Sequence, residues 1–281
     1  MRGLDHRLKL WRGVGAAALL GAGLGLAACG GEGGEQGPKS SAQAGGEGGE
    51  SGESAAPPPA PAPAASGGET GEAGAADAYA GLSGGARSAV RFQHLKGFLL
   101  VAQAAAKAGM VEEAGVLVGQ GALEVFDAAP AEMPGLTRPD LDAVEQLAFQ
   151  TPTNQKMSDA IAKASVKIDD LQRKGGGVDS ELVRRMLALT RGLYGQVHAE
   201  GGEIDSVEYQ HAFGAALGAQ DALSKAGIAL KAKDAARFAT AQAEMAKLTA
   251  LFPGPSAPET PASKRDLFAQ IARVELALSG M

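Results

Sequence analysis

From about Gly85 onward, apolar residues recur three and four positions apart, the spacing of one face of an α-helix. Phe92, Leu95, Leu99, Ala102 and Ala106 form the first such seam, and Gly109 behind it suits a left-handed helix end. Val111, Ala114, Val118, Gly121 and Val125 form the second, and the short turn between them predicts antiparallel neighbours. Pro130 and Pro134 break the chain before a short helix from about Pro139 to Phe149. Thr151-Pro152 then has the form of an N-cap with Pro at the first helical position. The helix behind it carries Met157, Ile161, Ala164, Ile168 and Leu171 and stops at Gly175-Gly176-Gly177.

Asp179 opens the next seam, Leu182, Met186, Leu189, Leu193 and Val197, which stops at Gly201-Gly202. Asp205 and Glu208 have capping-box spacing ahead of Phe213, Leu217 and Leu223. Phe238, Ala241, Met245, Leu248 and Phe252 mark a further helix. After a Pro-rich loop, Ser263 and Asp266 open a last one with Leu267, Ile271, Val274 and Leu278. Nowhere is there sustained alternation of β-branched residues, so no sheet is expected. The pattern predicts an all-α, up-and-down bundle of about seven helices over residues 77–281. That length supports one core or two packed sub-bundles. Ile161, Ile168, Leu189 and Ile271 are expected to be buried. Gly115/Gly119 and Gly214/Gly218 have the small-xxx-small spacing of close helix approach, or simply reflect a chain with 41 glycines.

The first 76 residues follow different rules. Arg2, His6, Arg7, Lys9 and Arg12 make a basic start, and Val14 to Leu26 is apolar. Leu26-Ala27-Ala28-Cys29 then ends the run. This is the grammar of a secretory signal. The apolar run is shorter than the ~20 residues of a membrane span and rich in Gly. The four-residue ending resembles the lipobox of bacterial lipoproteins, in which the cysteine is lipidated and becomes the first mature residue. Cys29 is the only cysteine, so neither a disulfide framework nor a Cys-based zinc site is available. Residues 30–76 hold seven Glu, one Lys, a Pro run from Pro57 to Pro63 and no large apolar residue. Such a stretch cannot offset the entropy of ordering and reads as a disordered tether. Gly30 stands where lipoproteins kept at the inner membrane carry Asp, so the resemblance implies the periplasmic face of the outer membrane.

Net charge is −6 for the whole chain, and the helical region is mildly acidic. It has no basic footprint for nucleic acid. There is no Gly-x-Ser-x-Gly elbow and no phosphate loop on a strand-to-helix turn, so the chain reads as a non-enzyme. Lys96, Lys107, Lys163 and Lys167, with Arg184-Arg185 and Thr190-Arg191, read as solvated helix faces.

The segment from Gly192-Leu193-Tyr194 through Glu208-Tyr209-Gln210 to Phe213 resembles the extracytoplasmic helical region of some high-affinity iron permeases and its free-standing relatives. So do Leu251-Phe252-Pro253, the loop to Pro261, and Ala272 to Leu276. Gln93-His94-Leu95-Lys96-Gly97 to Asp127 resembles the opening of helical proteins that share that region. Where their pattern carries further histidines, this chain has Leu117, Val118, Gly119, Gln120 and Gly121. The permease's Arg-Glu-Gly-Leu-Glu motif is absent. The resemblance implies a membrane-anchored extracytoplasmic protein that assists metal handling, above all of iron, beside a metal permease or another envelope protein. The alternative is an envelope interaction scaffold without a ligand.

Three histidines follow the signal: His94, His198 and His211. Glu208 and His211 share a helix face, and His198, Glu200 and Glu203 precede the same turn. Nitrogen and carboxylate donors in this pattern suit a transition-metal ion, with His198, Glu200, Glu203, Glu208 and His211 as candidate ligands. The plain alternative is a solvated acidic turn with two surface histidines.

Overall fold

A computed structural model of the chain describes residues 70–281, apart from 176 and 199–201. Cys29, the expected signal, residues 30–69 of the expected tether and Glu200 lie outside the described residues. Those residues contain ten α-helices and no β-strand. They are α1 (Thr70–Tyr79), α2 (Gly84–Lys107), α3 (Val111–Gly121), α4 (Arg138–Ala148), α5 (Asn154–Gly175), α6 (Ser180–Val197), α7 (Ser206–Lys225), α8 (Gly227–Lys233), α9 (Ala235–Thr249) and α10 (Lys264–Leu278). A π-helical turn, Ala122–Asp127, and a 3-10 turn, Pro130–Glu132, connect α3 to α4. The helices not expected from the pattern are α1 and α8. α1 begins at Thr70, inside the stretch read as tether.

The start signals have the expected chemistry, with two changes. Asp179 accepts from the Leu182 amide at 2.9 Å, and Ser263 from the Asp266 amide at 3.1 Å. Asp205 accepts from both the Val207 and Glu208 amides, so it caps α7 without the reciprocal Glu208 bond of a capping box. At α5 the cap is Thr153, whose hydroxyl accepts from the Lys156 amide at 3.2 Å. Thr151 instead turns the chain in the left-handed region, φ 49°.

α2 is the central element. It packs against α5, α7 and α3, while α1 lies on α6. α9 and α10 form a hairpin whose members rest on α7 and α6. The buried residues make one contiguous core, which decides between one core and two sub-bundles. Ile161, Ile168, Leu189 and Ile271 are wholly buried in it. α9 stops at Thr249, yet Phe252 in the following loop is buried and stacks on Phe213, centroids 5.2 Å apart. No helix among the described residues is long and apolar enough to cross a membrane.

The sequence pattern gives α2 one apolar face, but the helix is buried round most of its circumference. Gln93, Lys96 and Arg91 are buried on it alongside Phe92, Leu95 and Leu99. Lys96 is therefore not on a solvated face. Its Nζ reaches Asp169 of α5 at 2.7 Å, and Asp169 also takes Lys225 of α7 at 2.5 Å. Gln93 donates to the Gly218 carbonyl at 2.8 Å and to Asp221 at 2.9 Å, and accepts from Gln172 at 3.0 Å. A buried charge costs free energy unless paired and hydrogen-bonded, and this network meets that demand while fixing the register of α2, α5 and α7. Thr190 is buried too, donating to the Met186 carbonyl at 2.8 Å.

Candidate functional site

Of the five ligands expected around the turn after α6, the four that are described, His198, Glu203, Glu208 and His211, form no metal-binding group. Backbone groups close the turn: the Asp205 amide donates to the Val197 carbonyl at 2.9 Å, and His198 bridges to Ile204. The half-buried His198 lies edge-on to Tyr194 at 6.0 Å, its Nε2 3.4 Å from the Ala262 carbonyl. Glu203 is exposed, and Glu208 is buried in the first turn of α7. His211, nearly two turns into α7, faces a different part of the protein, against Phe98 of α2 and Glu124 of the π turn. Among the described residues no three His, Cys, Asp or Glu stand together at metal-binding spacing.

His211 joins another constellation instead. A cavity of about 460 Å³ opens beside α1, α2 and the π turn, lined in part by Tyr79, Arg87, Arg91, His94 and Glu124. Tyr79, at the end of α1, places its hydroxyl 2.8 Å from Nδ1 of His94. The guanidinium of Arg91 stacks over the Tyr79 ring at 4.6 Å, and that of Arg87 lies 5.5 Å from its centroid. Both arginines donate through Nε to Glu132 of the 3-10 turn, at 2.7 and 3.0 Å. Burial works against the Glu132 carboxylate, but the two guanidinium hydrogen bonds outweigh it and hold its pKa below the usual range.

Phe98 stands between the two imidazoles, its ring centroid 5.5 Å from His94 and 4.8 Å from His211. Gly121 makes room for it. A Cβ there would lie 2.7 Å from Phe98 Cβ, a separation that real side chains do not reach. Immediately after Gly121 the helix widens into the π turn. The turn buries Val125 and Phe126, exposes Leu123, and leaves Glu124 half-buried on the cavity wall. Single π turns occur often at functional sites.

Burial pushes the His211 pKa down to about 4, against a smaller upward pull from Asp205. His94 falls to about 3, chiefly through burial, with His211 and Arg91 adding to the effect. Both rings are therefore neutral at pH 7. Burial pushes the Tyr79 hydroxyl well above the usual tyrosine range, so it keeps its proton. Either tautomer of His94 satisfies the contact with Tyr79. When Nδ1–H donates to the hydroxyl oxygen, the Nε2 lone pair is available to a ligand.

His211 is the anomaly. Its side chain is 3% exposed, and neither ring nitrogen has a hydrogen-bond partner among the described residues. The nearest ion-pair partner is the Glu124 carboxylate, with Oε2 3.8 Å from Nδ1. A buried polar group left unmade costs roughly 1–3 kcal/mol. A neutral imidazole carries one N–H and one lone pair, so here both are unmade.

The helical periodicity could not have shown this grouping. Tyr79, Arg87, Arg91 and Glu132 carry no motif in the sequence. Compared with known protein families, with characterised proteins and with solved structures, the chain matches none, so the reading of this site rests on its own residues.

Proposed function

We propose that the protein is a lipid-anchored, extracytoplasmic helical domain that takes part in metal handling. The ion would lie between His211 and Glu124. The observation that carries this reading is the buried, neutral imidazole of His211, without a hydrogen-bond partner at either nitrogen among the described residues and 3.8 Å from a carboxylate oxygen. Donors bound to one transition metal at roughly 2.0–2.2 Å sit about 3–4 Å from each other, so that separation has room for an ion. Neutral imidazole is the ligating form, and nitrogen with carboxylate oxygen suits iron, zinc or manganese. The resemblance of the α6–α7 region to the helical part of iron permeases supports the same class of role. The partner it would serve is a metal permease or another envelope protein. The reading is of a binding protein, not an enzyme.

Calorimetric titration of the full chain with Zn²⁺ and Mn²⁺ tests it. One saturable site is expected. Glu124→Gln and His211→Asn should each weaken it at least about tenfold, the effect of losing roughly 1.4 kcal/mol of binding. His198→Ala should leave it alone. Absence of saturable binding would leave the ligand-free envelope scaffold as the better account.

The anchor has its own test. Cys29→Ala should yield a soluble protein or an uncleaved precursor, because stable membrane attachment needs two or more acyl chains at ~0.8 kcal/mol per buried methylene. A processed Cys29→Ala protein that still fractionates with membranes would remove the lipoprotein reading.

A further inference from the structure

We propose that the cavity beside α1 and α2 binds a small α-amino acid with an aliphatic side chain, its carboxylate held by Arg91 and its ammonium by Glu124. This site needs no metal and shares only Glu124 with the ion site above.

The charges around the cavity are the first reason. Arg87 and Arg91 both donate to Glu132, so two guanidinium groups share one carboxylate and this end keeps a net positive charge. Glu124 puts a carboxylate on the same lining. His94, held neutral by burial, adds no charge. A simple anion would suit the arginines but oppose Glu124, and a simple cation would do the reverse. A ligand with one group of each sign matches both ends. Charged groups that leave water must be paired, so this match selects a zwitterion over either single ion.

Arg91 is the second reason. It is 8% exposed and lines the cavity, yet of its N–H groups only Nε has an acceptor among the described residues, Glu132 at 3.0 Å. Its Nη groups remain for a ligand, and a guanidinium edge matches a carboxylate with two parallel bonds. The Tyr79 ring, with its centroid 4.6 Å away, holds that plane in place. Arg87 is more fully committed: besides Glu132, it donates through Nη1 to the Tyr79 carbonyl at 3.4 Å. Size is the third reason. The cavity has about 460 Å³, within the ~300–1,000 Å³ of small-molecule sites. Ala75, Ala76, Ala80 and Ala128 give the same lining short apolar side chains, which leave room for an aliphatic one from the ligand.

Calorimetry on the full chain, with EDTA present so that no metal contributes, tests this with L-alanine, L-valine and L-leucine in turn. At least one should bind saturably. For the tightest, the matching acid without its amino group and the matching amine without its carboxyl group should each bind at least tenfold more weakly. Arg91→Lys, checked for unchanged helicity, should weaken the amino acid at least tenfold, because a point charge replaces the planar fork. Glu124→Gln should weaken the amino acid by a similar factor yet bind the acid without its amino group at least as tightly as wild type does, a reversal that general loss of structure would not produce. Binding by none of the three amino acids would overturn the proposal. So would equal affinity for the acid that lacks the amino group, or unchanged affinity in Arg91→Lys. Because metal is absent throughout, none of these outcomes touches the ion site, which stands or falls by its own Zn²⁺ titration.

Discussion

A valine at position 214 should cost about 3 kcal/mol, at the upper end of the usual range for overpacked cores. α2 and α7 run antiparallel and touch backbone to backbone. A Cβ on Gly214 would lie 2.9 Å from the Gly97 carbonyl oxygen, and one on Gly97 would lie 2.7 Å from the Gly214 carbonyl oxygen. No side chain can swing aside, because the obstructing atoms are backbone. The helices would have to separate, and the buried Gln93 and Lys96 bonds to α7 and α5 would be strained with them. Gly195 in α6 is the control. A Cβ there meets nothing within 4 Å, so Gly195→Ala should gain up to ~1 kcal/mol of helix propensity. Urea unfolding of the two variants checks both signs. If Gly214→Val unfolds at the wild-type midpoint, the crossing is not as close as described.

Acid should unfold the domain earlier than its carboxylates alone would require. The folded pKa values of His94 and His211, about 3 and about 4, lie below the ordinary 6.5 of the unfolded chain. Between those limits the unfolded state binds protons that the folded state refuses, so stability is complete above pH 6.5 and falls as pH drops. The slope approaches roughly 1.4 kcal/mol per pH unit for each histidine, so the loss reaches several kcal/mol near pH 4. His94 is faced by the Tyr79 hydroxyl, Arg91 and His211; His211 by Glu124, with a weaker pull from Asp205 at the start of α7. The paired carboxylates of Glu132, Asp140 and Glu181 also have lowered pKa values, but from ordinary values of 4.5, 3.8 and 4.5, so their stabilisation is lost at lower pH. Urea midpoints from pH 8 to pH 4 should therefore slope in wild type and flatten above pH 4.5 in a His94→Gln/His211→Gln variant. A variant profile parallel to wild type would show that the imidazoles are not held neutral by burial.

The amino-acid pattern specifies most of the helices, but not α1 or α8. Period, glycine stops and polar starts depend on residues within a few positions of one another, and that is why Asp179, Asp205 and Ser263 stand at helix starts. It also determined which residues face inward, as at Ile161 and Leu189. It did not determine what those faces meet. Lys96 looked solvent-exposed because its partner, Asp169, belongs to another helix. Glu124 moved to the cavity wall with a π turn that no local pattern marked.

The histidines show the limit most clearly. His198 and His211 are neighbours in sequence, and the acidic residues between them gave the look of a site. The turn, however, is closed by backbone hydrogen bonds, which leaves one ring at the end of α6 and the other well inside α7, against different neighbours. His94 and His211 lie far apart in sequence, yet the Gly97–Gly214 crossing brings them to either side of Phe98. A helical period fixes a direction around one axis. Which helix lies in that direction, and at what height it crosses, depends on how closely two backbones can approach, and only the tertiary packing decided that.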